Sequence, residues 1–177
     1  MKVIFLDVDG VLIHDNYKNK ETCHVDEEKI KIIKKIVEET NSKIVITSTW
    51  RHPYIDGTDI NQPEYDLLTK MLKSHNIEIY DKTPVHKLKL LSNHEYEILK
   101  NEINSRFHPL TTRAGEIYTW LKDKEIESFL ILDDDESEWE YFGLEKNLIE
   151  TSKKYGITEK AIEKAINILN NEKTKTR

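Results

Sequence analysis

The stretch KVIFLDVDGVLIHD, residues 2–15, carries the reading of the whole chain. Val3–Leu6 is an unbroken apolar run that stops at two aspartates, Asp7 and Asp9, with Gly10 behind them. A short apolar run without polar alternation reads as a strand buried on both faces. Side chains alternate across a strand, so Asp7 and Asp9 would share a face if the strand persisted. Two like charges so placed repel one another unless something lies between them. A metal ion together with a phosphate group meets that need.

Outward from this strand the chain alternates strand and helix. DEEKIKIIKKIVEET, residues 26–40, sets Ile30, Ile33 and Val37 at helical spacing behind Asp26, an N-cap residue type. SKIVITS (42–48) is a second buried strand, PEYDLLTKMLKSH (63–75) a helix, and IEIYD (77–81) a short strand. AGEIYTWLKDK (114–124) is an amphipathic helix leading into the strand SFLILDD (128–134). A short strand, NLIET (147–151), and a last helix, TEKAIEKAINILN (158–170) with Thr158 placed to cap it, complete the pattern. Ile-, Val- and Leu-rich strands separated by helices predict an α/β, Rossmann-like fold with a mostly parallel sheet flanked by helices. Ligands in such sheets bind at the carboxyl ends of the strands. Three strands end in polar chemistry: FLDVD and FLILDDD in carboxylates, IVITSTWR in hydroxyls and an arginine.

A chain of 177 residues is long enough to bury a core and is expected to form one domain, residues 1–171, with 172–177 as a frayed tail. No repeat or linker divides it. No apolar run nears the roughly 20 residues that span a bilayer, and the N-terminus lacks a signal-peptide pattern. The single cysteine, Cys23, excludes an intrachain disulfide and fits a reducing cytoplasm. The formal charge of −6 argues against nucleic-acid binding over the whole surface, but the charge is uneven. Residues 133–150 carry eight acids against Lys146 alone. Residues 82–113 carry six Lys/Arg (82, 87, 89, 100, 106, 113) against three Glu (95, 97, 102), a local +3.

DVDGVL, a Ser/Thr closing a second strand, a basic residue opening a later helix and LDDD closing another strand together resemble the haloacid dehalogenase-like (HAD) phosphatases. More narrowly, LDVDGVL, STWR, RAGEIYTWL, LDDD and GITEKAIEKAINIL resemble the HAD domain of bacterial and viral RNA-repair ("Swiss Army Knife") proteins, nearly end to end and in order.

The resemblance implies a phosphatase and assigns roles. Asp7 would be the nucleophile that forms an aspartyl-phosphate. Asp9 would protonate the leaving oxygen and then activate water. Gly10 would allow the tight exit from the strand and lie against the substrate. Mg²⁺, which takes oxygen ligands and keeps several waters, would be held by Asp7, the Asp9 carbonyl and one acid of DDD. Asp134 is favoured as direct ligand with Asp133 in support, while Asp135 either caps the next turn or touches the metal. Ser48, two before Trp50, is the expected phosphate-binding hydroxyl, with Thr47 as runner-up. Thr49 and Arg51 are expected on the substrate. Arg113 stands where the wider superfamily places lysine, at a helix N-terminus, and could bridge nucleophile and phosphate with two hydrogen bonds. Trp50 either stacks on a base or is buried at the strand end. His52, His86 and His108 show no ligand spacing.

Between Asp9 and Ser48 there is room for a loop and one helix. Between Arg51 and Arg113, residues 85–112 are spare and are expected to form a small helical flap over SNHEYEILKNEIN, not a large cap. An open site points to a large or a broad substrate, and the resemblance to RNA-repair domains, with the local +3, implies a phosphorylated nucleic-acid end or nucleotide. A promiscuous small-molecule phosphatase and a non-catalytic module that binds phosphorylated ends or a partner protein are the alternatives. A monomer with no membrane and no disulfide partner is expected.

Overall fold

The computed structural model describes residues 1–17, 25–51, 62–85, 109–122 and 124–171. They form five strands and four α-helices in the order β1 (Lys2–Leu6), α1 (Glu27–Thr40), β2 (Lys43–Ile46), α2 (Gln62–Ser74), β3 (Ile79–Lys82), α3 (Arg113–Lys122), β4 (Ser128–Asp133), β5 (Leu148–Glu150) and α4 (Lys160–Asn170). Short 3₁₀ turns occupy Thr49–Arg51, Pro109–Thr111 and Glu145–Asn147. The expected alternation is present, in the expected order.

All five strands pair in parallel, in the order β3-β2-β1-β4-β5. The chain winds outward from β1 to β3, then crosses back to lay β4 on the other side of β1. The reversal falls between β1 and β4. In doubly wound sheets that switch point opens a crevice at the carboxyl ends of the strands. The sheet register fixes what faces it: Leu6 lies opposite both Ile46 of β2 and Leu132 of β4.

Val3, Ile4, Phe5 and Leu6 are completely buried, as a strand with neighbours on both edges and cover on both faces requires. Ile4 and Leu6 belong to a cluster with Ile30, Ile33 and Ile36 of α1, Leu68 and Leu72 of α2, and Ala165 and Leu169 of α4. Phe5 meets Phe129 edge-on, ring centroids 5.9 Å apart. Asp26 caps α1 as its residue type predicts, its carboxylate accepting the Glu28 N–H at 2.9 Å. Thr158 does not cap α4. That helix begins at Lys160 behind Glu159, which makes no side-chain cap, and Thr158 instead offers its carbonyl to the Ala161 N–H.

The chain groups into two compact units. The first comprises residues 1–82, 125–135 and 147–177, and holds the whole sheet; the second comprises 83–124 and 136–146. Within the second, α3 buries Ala114, Ile117, Trp120 and Leu121, and Tyr118 meets Phe142 at a centroid distance of 5.0 Å. Its first turn is tied down by Thr112 Oγ1, which accepts from the Gly115 N–H, and Ser137 Oγ, which accepts from the Ala114 N–H. Most of the expected flap, residues 86–108, lies outside the described residues.

Candidate active site

Strand pairing runs one residue past β1, where the Asp7 N–H donates to the Leu132 carbonyl at 3.0 Å. The chain then turns at once. The Val8 carbonyl accepts the N–H groups of Val11, Leu12 and Ile13, and Gly10 takes a φ of +72°. The strand therefore does not persist through Asp9, and the two aspartates part company: Asp7 is 4% exposed, whereas Asp9 lies on the surface. Gly10 is needed twice over. Its positive φ suits glycine, and a Cβ there would land inside the Asp134 carboxylate. Its N–H is engaged by the Ile13 carbonyl.

β4 delivers two more carboxylates across the switch point. Asp133, fully buried, accepts the Asp135 N–H on Oδ1 at 3.0 Å, and its carbonyl accepts from Thr151. Asp7, Asp133 and Asp134 each bring one carboxylate oxygen into a group whose members all lie within 4.8 Å of one another. Burial pushes the Asp134 carboxyl above the usual aspartate range; Lys153 draws it back and the neighbouring Asp7 raises it further. The side chain is 5% exposed, and Lys153 Nζ stands 3.9 Å from Oδ2. That buried Oδ2 has no hydrogen-bond partner among the described residues. Crowded, dehydrated carboxylates with an unmet acceptor fit a hard divalent cation such as Mg²⁺, which prefers oxygen ligands. Asp135 is exposed and outside the cluster; its main-chain N–H, not its side chain, meets Asp133.

β2 ends beside β1, with the Thr47 N–H on the Leu6 carbonyl at 3.0 Å. Thr47 and Ser48 are both completely buried. Ser48 Oγ accepts the Trp50 N–H at 3.3 Å, which leaves its own hydrogen to be donated elsewhere. Thr49 is exposed. Arg51 is 2% exposed, and its Nη1 donates to the carbonyls of Thr47 and of Ser48, the latter at 2.7 Å. Its observed contacts hold the strand end in shape. Half-buried Trp50 packs against the core cluster, and its indole Nε1–H donates to Asp9 Oδ2 at 3.1 Å.

Of the residues expected in the site, the first unit brings together Asp7, Gly10, Asp133 and Asp134, and links Asp9 to the Ser48 turn through Trp50. Arg113 is the first residue of α3 and belongs to the second unit. Cys23, His52, His86, Lys87, Lys89, Arg106 and His108 lie outside the described residues. One residue and one contact escaped the sequence reading. Lys153 reaches Asp134 because β5 pairs with β4, Asp133 opposite Glu150, and the chain leaving β5 follows the same edge. The polar TSKK behind a strand was the one local signal for it. The Trp50–Asp9 contact joins residues 41 apart and had no local signal.

No curated protein and no solved structure matches the chain. A family model described as the HAD domain in Swiss Army Knife RNA repair proteins matches residues 3–162, nearly the whole length. With that match laid over a parallel sheet whose switch point gathers Asp7, Asp133 and Asp134, the chain belongs to the HAD domain family of Swiss Army Knife RNA repair proteins.

Proposed function

We propose that the protein is a Mg²⁺-dependent phosphomonoester hydrolase that works through an aspartyl-phosphate, on a nucleic-acid phosphate end or a nucleotide. The observation that carries this reading is the convergence of Asp7 with Asp133 and Asp134 from the two strands that flank the switch point. A carboxylate buried at a strand mouth is poorly placed for solubility and well placed for in-line attack on phosphorus.

Asp7 attacks the phosphorus. The bond to the ester oxygen breaks, and that oxygen takes its proton from Asp9. Water, deprotonated by the same Asp9, then attacks the aspartyl-phosphate, releases phosphate and restores Asp7. The Ser48 hydroxyl, already accepting from Trp50, donates to a phosphoryl oxygen; Thr47 is the alternative donor. Thr49 and Arg51 support the phosphate-binding turn, and Gly10 leaves room for Asp134; Arg113 is the cation that the family pattern assigns. Asp7, Asp134 and the Asp9 carbonyl would hold Mg²⁺, with Asp133 steadying them. When bound, the ion offsets carboxylate and phosphoryl charge.

The test is hydrolysis of 3′- and 5′-phosphorylated oligonucleotides, nucleotides and p-nitrophenyl phosphate, with Mg²⁺ and with chelator. Wild type should act only with the metal, and Asp7→Asn should lose turnover while keeping the fold by circular dichroism. Wild-type-like hydrolysis by Asp7→Asn would sink the covalent mechanism. A metal-independent protein that binds phosphorylated ends without cleaving them would mark a binding module. A rate no better on oligonucleotides than on small monoesters would mark a broad phosphatase.

A further inference from the structure

The turn Thr49–Arg51 ties two strand ends together through one residue. The main-chain N–H of Trp50 holds Ser48 Oγ at 3.3 Å, while its indole N–H holds Asp9 Oδ2 at 3.1 Å. Arg51 secures the same turn from below through the Thr47 and Ser48 carbonyls. Asp9 sits on the surface, on the loop that follows β1. The indole is its opposite: half-buried, packed against the core, and able only to donate.

We infer that Trp50 is a positioning residue that sets the plane of the Asp9 carboxylate and, through its main chain, the direction of the Ser48 hydroxyl. The inference rests on the phosphatase reading above. An indole N–H on Oδ2 fixes the plane in which the carboxylate delivers its proton, and the same residue fixes the hydroxyl that receives the phosphoryl group. Two groups from the loops behind different strands thus share one support, so the distance between them is set by a rigid ring. Positioning of this kind matters most when the leaving group needs its proton early, as a sugar hydroxyl does and p-nitrophenolate does not.

The experiment removes the N–H and little else. Trp50 is replaced by 3-benzothienylalanine, which keeps the shape of the indole with sulfur in place of N–H, and Trp50→Phe serves as a second variant. With a nucleoside 3′-phosphate, kcat should fall about tenfold while KM stays within about twofold. The loss on p-nitrophenyl phosphate should be smaller, so the ratio of the two rates drops. In an Asp9→Asn background the replacement should add nothing, since both changes act on one contact. NMR gives a readout apart from activity. The Trp50 indole proton, assigned by its disappearance in Trp50→Phe, should exchange faster with solvent in Asp9→Ala. An unchanged rate ratio, losses that add in the double variant, or an indole proton indifferent to Asp9→Ala overturns the inference. If wild type hydrolyses neither ester, the phosphatase reading itself has failed and the catalytic meaning of the contact goes with it. If wild type hydrolyses both and the ratio does not move, only the role of Trp50 is lost.

Discussion

Replacing Gly10 with alanine tests the carboxylate cluster through its tightest point. Two costs are expected. A non-glycine residue at a φ of +72° loses about 1–2 kcal/mol relative to glycine. The added methyl also falls inside the Asp134 carboxylate, and forcing a group into occupied space costs roughly 1–3 kcal/mol. Reduced freedom of the unfolded chain returns about 0.4–1 kcal/mol. The net loss is about 1–5 kcal/mol; at about 3 kcal/mol it lowers Tm by about 6–12 °C in a chain of this size. Gly143→Ala separates the two parts, because Gly143 has a φ of +66° and nothing among the described residues within 4 Å of its missing Cβ. Its loss should be no more than about 1–2 kcal/mol, with hydrolysis intact. Gly10→Ala should in addition weaken Mg²⁺ about 10–100-fold, read from the metal dependence of turnover, because Asp134 must move away from Asp7 and Asp133. Gly10→Ala with the Tm loss of Gly143→Ala and an unchanged metal requirement would refute the close approach.

Asp9→Asn should slow nucleoside phosphates by about 10²–10⁴-fold and p-nitrophenyl phosphate far less; equal losses would leave Asp9 a structural role only. For Asp134, burial raises the folded-state pKa, so the folded protein holds the proton more tightly than the unfolded chain does. Stability of the metal-free protein should therefore fall as pH rises from the ordinary aspartate value through that raised one. Asp134→Asn should flatten this fall and raise the metal-free Tm near neutral pH while removing the stabilisation by Mg²⁺, both measurable by thermal unfolding with chelator or metal. Lys87→Ala, Lys89→Ala and Arg106→Ala combined should raise KM for a phosphorylated oligonucleotide and flatten its salt dependence, by about 0.7 for each phosphate no longer neutralised. An unchanged KM at low salt would leave the +3 segment without a nucleic-acid role.

The parts of the fold that could be read from sequence are those where one physical demand dominates. β1, β2 and β4 are buried on both faces, so their apolar runs stand out, and the Asp26 cap follows from residue type beside an apolar period. Asp7, Asp133 and Asp134 were legible because a charge at the end of a buried strand is costly to desolvate unless a partner of opposite charge meets it there. Thr158 misled because residue type marks a possible cap but not the exact start, and the helix begins later, at Lys160 behind Glu159. Lys153 and the Trp50–Asp9 bond depend on strand order and register. Those are set by the packing of all five strands together, and no local pattern encodes them.

The central place of β1 has a consequence for how the protein is made. Its first partner, β2, ends at Ile46, but the second, β4, ends at Asp133. At about 5–20 residues per second, a ribosome needs roughly 6–25 s to go from Leu6 to Asp133. Throughout that interval one side of the most apolar strand in the chain has no native mate. Its N–H and C=O groups then form a bare edge of the kind that recruits other chains. Newly made chains should thus depend on a holding chaperone until β4 emerges. Refolding from urea should lose yield as concentration rises, and a peptide with the β4 sequence, SFLILDD, added in excess during that refolding should reduce the loss by occupying the vacant edge.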